Sequence, residues 1–186
     1  MTSDEILMDA EERMEKAVNV YRDELRGLRT GRATPALVDN LKVEYYGSPT
    51  PLKQLAQIST PDPQSLVIRP YASDDLKNIE KAIRSSDLGL APNNDGKIIR
   101  LQVPTMSGEQ RKKMVAHVKK KSEDAKVACR NIRRDGNKHF EQAEKNKEMT
   151  EDERDAGKEE MQNLLKTYEG KIEELEEKKT KEIMEQ

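Results

Sequence analysis

Apolar residues at steps of three and four run through the start of the chain: Leu7, Ala10, Met14, Ala17 or Val18, Tyr21, Leu25 and Leu28. That spacing lays one apolar stripe along a helix. Thr2 and Glu5 precede the stripe three residues apart, which reads as a capping box. The helix is expected to stop at Thr30-Gly31, bracketed by Arg26, Arg29 and Arg32. Cations at a helix carboxyl end complement its dipole, so spacing alone leaves these arginines open between dipole complementation and a contact role.

Between 33 and 104 the texture changes. LKVEYY (41–46) alternates like a strand and runs into the turn Gly47-Ser48-Pro49, and SLVIR (65–69) is a short apolar strand between Pro63 and Pro70. Ser73 is placed to cap a helix from Asp74 to about Ser85, with Leu76, Ile79, Ala82 and Ile83 inward. Asn93-Asn94-Asp95-Gly96 is a hairpin turn leading into KIIRLQV at 97–103. Seven of the eight prolines fall between Pro35 and Pro92, and Pro104 is the eighth. The stretch is expected to form a small α/β domain.

A third pattern begins after Pro104. Ser107 and Gln110 form a second capping box, and no proline follows up to about Asn146. Two rows at seven-residue spacing make a narrow seam: Val118, Ala125, Ile132, His139, and Val115, Ser122, Cys129, Gly136, Ala143. At ~1.5 Å per residue this is a rod of roughly 60 Å. Beside the seam runs a row cationic at every position, Lys112, Lys119, Lys126 and Arg133. Another, Lys113, Lys120, Val127 and Arg134, is cationic at three of four. Met149-Thr150 breaks the run, Thr150 and Glu153 make a third capping box, and Met161, Leu165, Tyr168, Ile172, Leu175 and Ile183 line the last helix. None of the three long helices is apolar all round, so each needs partners. The connection at 146–150 is short, which favours an antiparallel three-helix bundle within the chain over an intermolecular coiled coil.

The fold class is therefore α+β: a three-helix bundle from 1–30 and 105–186, with a small domain inserted at 31–104. Composition supports this. Charged residues make up 38% and aromatic residues 3%, which suits long charge-laced helices and not a large aromatic core. The net charge of −2 conceals a strong asymmetry. Residues 107–138 hold eleven Lys/Arg against four Asp/Glu, while 139–186 hold nine against sixteen. A basic stripe on an acidic chain can bind polyanions while the remainder limits indiscriminate sticking.

Other chemistries are poorly served. One cysteine excludes an internal disulfide, and with two distant histidines it cannot make a zinc site. Cys129 on the seam reads as a packing residue, His117 and His139 as lone packing or surface residues. No phosphate-cradling glycine loop or nucleophile elbow appears, so no enzyme, catalytic residue, metal or cofactor is expected. The acidic pairs Glu173-Glu174 and Glu176-Glu177 read as a solvated face. No run has transmembrane length and the amino terminus is acidic, so the expectation is a cytoplasmic protein.

Four ordered motifs, RTGRATPALVDNLKVEYYG (29–47), IRPY (68–71), DGKIIRLQVP (95–104) and KVACRNIRRD (126–135), resemble the ribosome recycling factor family over essentially the whole chain. The resemblance implies an L-shaped molecule whose second arm is a β/α/β sandwich joined by two flexible connections. It implies binding to the large ribosomal subunit after termination and, with elongation factor G and its GTP, splitting of the ribosome from mRNA. Residue by residue, it makes Arg130, Arg133 and Arg134 rRNA contacts, supported by Arg29 and Arg32 from the first helix. Lys119 and Lys126 extend that set along the cationic row. Gly31, Pro35, Pro104 and Thr105 are the expected hinge, and a monomer is expected in solution. Cys129 and Gly136 depart from the larger aliphatic and alanine-like residues expected there, and SGEQRKK at 107–113 departs mildly at the helix start. A coiled-coil adaptor for protein partners is the rival reading; it gives no reason for the inserted domain.

Overall fold

The computed structural model describes residues 1–185. In chain order the elements are α1 (Ser3–Arg26), β1 (Lys42–Tyr45), β2 (Ser48–Pro51), the single turn α2 (Leu52–Leu55), β3 (Ala56–Asp62), β4 (Ser65–Pro70), α3 (Leu76–Arg84), β5 (Pro92–Asn94), β6 (Ile99–Gln102), α4 (Gly108–Lys145) and α5 (Glu151–Met184). They fall into two compact units, Met1–Arg26 with Lys112–Glu185, and Gly27–Arg111.

The first unit is an up-down-up bundle of α1, α4 and α5. All three capping boxes form: Thr2 Oγ1 accepts from Glu5 N at 3.2 Å, Ser107 Oγ from Gln110 N at 3.2 Å, and Thr150 Oγ1 from Glu153 N at 3.2 Å, each with the reciprocal bond. Each box satisfies two amides that the helix itself leaves without partners. The turn between α4 and α5 is closed by Lys147 at φ 58°, with Glu148 N donating to Ala143 O at 2.8 Å. This is the left-handed helix stop that glycine usually fills.

The buried face of α1 is Ile6, Ala10, Met14, Val18, Tyr21 and Leu25. Ile6 takes the inward place expected for Leu7. The helix ends at Arg26, short of Leu28, Arg29 and Arg32, so only Arg26 lies in its last turn. On α4 both seven-residue rows are buried through Val118, Ala125, Ile132 and Ser122, Cys129, Gly136, Ala143, but His139 is exposed and Phe140 is fully buried. A straight helix drifts ~20° per heptad against a seven-residue repeat, and over three heptads this carries one row out and its neighbour in.

Two glycines let α4 and α5 approach. A Cβ at Gly136 would lie 3.2 Å from Met161 Sδ, and one at Gly157 within 2.6 Å of Phe140 Cζ. Gly136 is thus the room that Met161 occupies, which explains a glycine inside a long helix.

In the second unit β3-β4-β6-β5 make a four-stranded antiparallel sheet, and β1-β2 a separate hairpin. Helix α3 packs against β1 and β5. Val38, Val43, Leu66, Ile68, Ile79, Ile83, Ile99 and Leu101 fill this unit's own core. Strands β2, β3 and β5 were not visible as strands in the sequence. The first hairpin turns on Tyr46-Gly47, one residue earlier than expected, both at positive φ (48° and 77°). The Asp95–Ile98 turn likewise follows a short strand where the asparagines were read as the turn itself. Ser73 opens a 3-10 turn and does not cap α3. The chain enters and leaves beside one loop: Ala33 N donates to Pro63 O and Val103 N to Gln64 O, both at 2.7 Å.

Candidate nucleic-acid interface

The cationic rows of α4 divide by what α5 places opposite them. Along the α4–α5 seam, side chains meet in antiparallel order. Ser122 Oγ donates to Glu176 Oε2 at 2.6 Å, Lys126 Nζ to Glu173 Oε1 at 3.2 Å, Arg130 Nε to Glu169 Oε1 at 3.1 Å and Arg133 Nη1 to Gln162 Oε1 at 2.9 Å. Nearer the α4–α5 turn the polarity reverses, with Lys158 on Glu141 at 2.7 Å and Arg154 on Glu144 at 3.6 Å. The α5 acids read as a solvated face are therefore in part rungs of this ladder; Glu174 and Glu177 remain exposed.

The rungs differ in charge. Lys126 is paired and its side chain is only 16% exposed. Arg130 is held twice, by Glu169 and by Glu123 Oε1 at 2.9 Å. Those hydrogen bonds, Glu123's first, keep its guanidinium above the ordinary arginine pKa. Arg133 is half-buried and faces the uncharged Gln162; it makes no ion pair among the described residues. Arg134 is exposed, with one long contact to Asn131 Oδ1 at 3.5 Å. Lys119 is exposed on the same helix, beside Lys120, which the sequence row contained. Carboxylates therefore lie on the cationic flank at Lys126 and Arg130, and none pairs with Lys119 or Arg134 among the described residues.

Arg29 and Arg32 belong to the second unit and not to α1. Arg29 Nη2 donates to the Asp87 carbonyl, and Arg32 is half-buried. Gly31 has φ 78°, Pro35 opens a 3-10 turn, and Pro104 and Thr105 are exposed in irregular backbone. The residues that the sequence reading missed are the neutralising partners Glu123, Glu169 and Glu173 and the neutral Gln162. The only signal for Gln162, Glu169 and Glu173 was an α5 polar row beside the apolar seam, which pairing alone distinguishes from a solvated face, and for Glu123 its place one heptad before Arg130 on α4.

The pattern of the family described as ribosome recycling factor matches residues 21–184. The chain belongs to the ribosome recycling factor family. Among its relatives, the ribosome-recycling factor of Rhodopirellula baltica is 66% identical over 138 residues, 74% of each chain. That of Bacillus licheniformis is 50% identical over 183 residues, 98% of this chain and 99% of the relative. A solution structure of the ribosome recycling factor superposes with a TM-score of 0.83 at 41% identity, covering 99% of this chain and 98% of the other. A second, described as models for the T. thermophilus ribosome recycling factor and the E. coli elongation factor G bound to the E. coli post-termination complex, gives 0.70 at 42% identity, with 98% of this chain and 99% of the other covered. The family's α+β architecture is the one found here. No helix among the described residues is long and apolar enough to cross a membrane.

Proposed function

We infer that this chain is the translation factor that acts on the ribosome after termination and, with elongation factor G and the GTP that partner binds, splits the subunits and releases mRNA. Its likeness to ribosome recycling factors over nearly the full length, including one described in models with elongation factor G bound to the post-termination complex, supports this. The factor works by binding, in the cytoplasm and without catalysis of its own. The reading places rRNA contacts on the outer flank of α4, with Arg133 and Arg134 central, Lys119 beside them, and Arg130 and Lys126 behind their carboxylate partners. Arginine offers a planar fork of donors to phosphate and can stack on bases, and RNA of regular shape is recognised chiefly through its backbone. Arg29 and Arg32 are assigned a supporting role from the second unit, and the connecting segments carrying Gly31, Pro35, Pro104 and Thr105 the role of hinge. The observation that carries the interface is that Arg133, Arg134 and Lys119 make no ion pair among the described residues, while Arg130 and Lys126 on the same flank are already paired with carboxylates.

Cosedimentation with purified large subunits across a salt series tests it. Arg133→Ala and Arg134→Ala are each expected to weaken binding several-fold and to flatten the log–log salt slope by about 0.7–0.9, the value of one phosphate contact in simpler nucleic acids. Glu174→Ala, on the exposed side of α5, should bind as the parent does. Normal binding by both arginine variants together with loss by Glu174→Ala would overturn the assignment.

A further inference from the structure

The rungs between α4 and α5 are chemically uneven, and that unevenness has a consequence for binding. Phosphate approaching Arg130 or Lys126 finds N–H donors still open, but the carboxylate already bonded there offsets the cation's charge unless it is displaced. Arg130 gives Nε to Glu169 and Nη1 to Glu123, at 3.1 and 2.9 Å, and Lys126 gives Nζ to Glu173 at 3.2 Å. Arg133, one turn further along, gives Nη1 to the amide oxygen of Gln162 at 2.9 Å. An amide leaves the guanidinium charge whole.

We propose that α5 meters the cationic flank of α4: Gln162 leaves Arg133 charged toward any polyanion, while Glu169, Glu173 and Glu123 hold Arg130 and Lys126 in reserve. The reserve cations engage only where RNA of matching shape sets several phosphates along the helix at once. A single flexible strand gains too little from one exchange to break the pairs, since each carboxylate it frees lies beside the incoming phosphate and repels it. Glu169 and Gln162 are on this view positioning and specificity residues, acting through Arg130 and Arg133. The half-buried setting of Glu169 favours a fixed counter-ion to Arg130, with the exposed Glu123 the weaker second partner. A pair exposed on both sides would be screened by salt and worth little.

This rests on the interface reading above, and the two can fail separately. The test uses the full-length protein with two probes, purified large subunits and poly(U), each titrated across salt. Gln162→Glu supplies Arg133 with the carboxylate its neighbours already have. It is expected to weaken subunit binding several-fold and to flatten the salt slope by about 0.7–0.9, the value of one lost phosphate contact. Gln162→Asn should retain both. Glu169→Gln is expected to act oppositely on the flexible probe, tightening poly(U) binding several-fold and steepening its slope by about the same amount. Selectivity for the subunit over poly(U) then falls. A purely structural ladder would change melting temperature in both variants and leave both salt slopes alone; that result overturns the proposal. Arg133→Ala and Arg130→Ala are run alongside. If neither affects subunit binding, the interface assignment itself has failed; if Arg133→Ala binds weakly while Gln162→Glu binds as the parent does, the interface stands and the metering does not.

Discussion

Cys129 shows how a single side chain reports on the bundle. It is fully buried on α4, and burial, with the Glu169 charge second, pushes its thiol up from 9.0 to about 11. A folded-state pKa above the unfolded one favours folding only while the thiol stays protonated in both states. That contribution is whole below pH 9 and is lost as pH rises through 9 toward 11, because the unfolded chain then binds fewer protons. The loss is up to about 1.4 kcal/mol per pH unit in that window. Cys129→Val removes the group, so its melting temperature should fall less steeply between pH 9 and 11 than the parent's, as calorimetry across pH would show. The same burial makes the folded thiol slow to react. Labelling by a thiol reagent at the rate of a free cysteine would mean that this face of α4 is not a core face.

At the scale of elements, glycine substitutions on α5 separate helix propensity from packing. Alanine is preferred to glycine inside a helix by ~1 kcal/mol. At Gly170 a Cβ meets nothing within 4 Å, so Gly170→Ala is expected to raise stability by up to about that amount. At Gly157 the Cβ would run into the Phe140 ring, which is itself fully buried and cannot swing aside. Overpacking costs typically ~1–3 kcal/mol, enough to cancel or exceed the propensity gain. The same substitution on one helix is therefore expected to move the denaturation midpoint in opposite directions, with urea melts as the measure. Gly136 stands between these cases, since its neighbour is the flexible end of Met161.

On the scale of the molecule there are two hydrophobic cores. One lies among α1, α4 and α5, and the other is confined to residues 33–103. Helices α1 and α4 run antiparallel, as Tyr21 Oη on Val118 O (3.3 Å) and Arg13 on Asp135 (3.0 Å) show, so the end of α1 and the start of α4 within the bundle are neighbours. Replacing 32–104 with a short Gly/Ser loop should leave a cooperatively melting helical protein, because loop closure entropy grows slowly with length. That protein keeps Arg130, Arg133 and Arg134 and is expected to bind the large subunit, more weakly than the parent. It is expected not to split ribosomes with elongation factor G, read by light scattering with binding scored separately. Full recycling by the bundle would remove the need for a second unit, and no binding at all would move the principal contact onto that unit.

The three long helices were legible in the sequence because their signals are local. A Ser or Thr with Glu or Gln three residues on, then apolar residues at steps of three and four, sets both the start and the buried face by short-range geometry. The motifs carrying the family resemblance were equally open to reading. Tertiary structure decided what depends on distant partners. Strands β2, β3 and β5 contain Pro49, Pro51, Pro61 and Pro92, and exist because a neighbouring strand pairs with them; β3 and β5 lie at the sheet edges, where proline's missing donor is tolerated. Phe140 displaced His139 from the seam because helix geometry drifts against a seven-residue count. For three α4 cations the α5 partner lies far off in sequence, 29 residues away for Arg133, 39 for Arg130 and 47 for Lys126. A charge row in sequence gives the positions of cations on a helix, and the packed carboxylates, on α5 and on α4 itself, determine which of them are already paired.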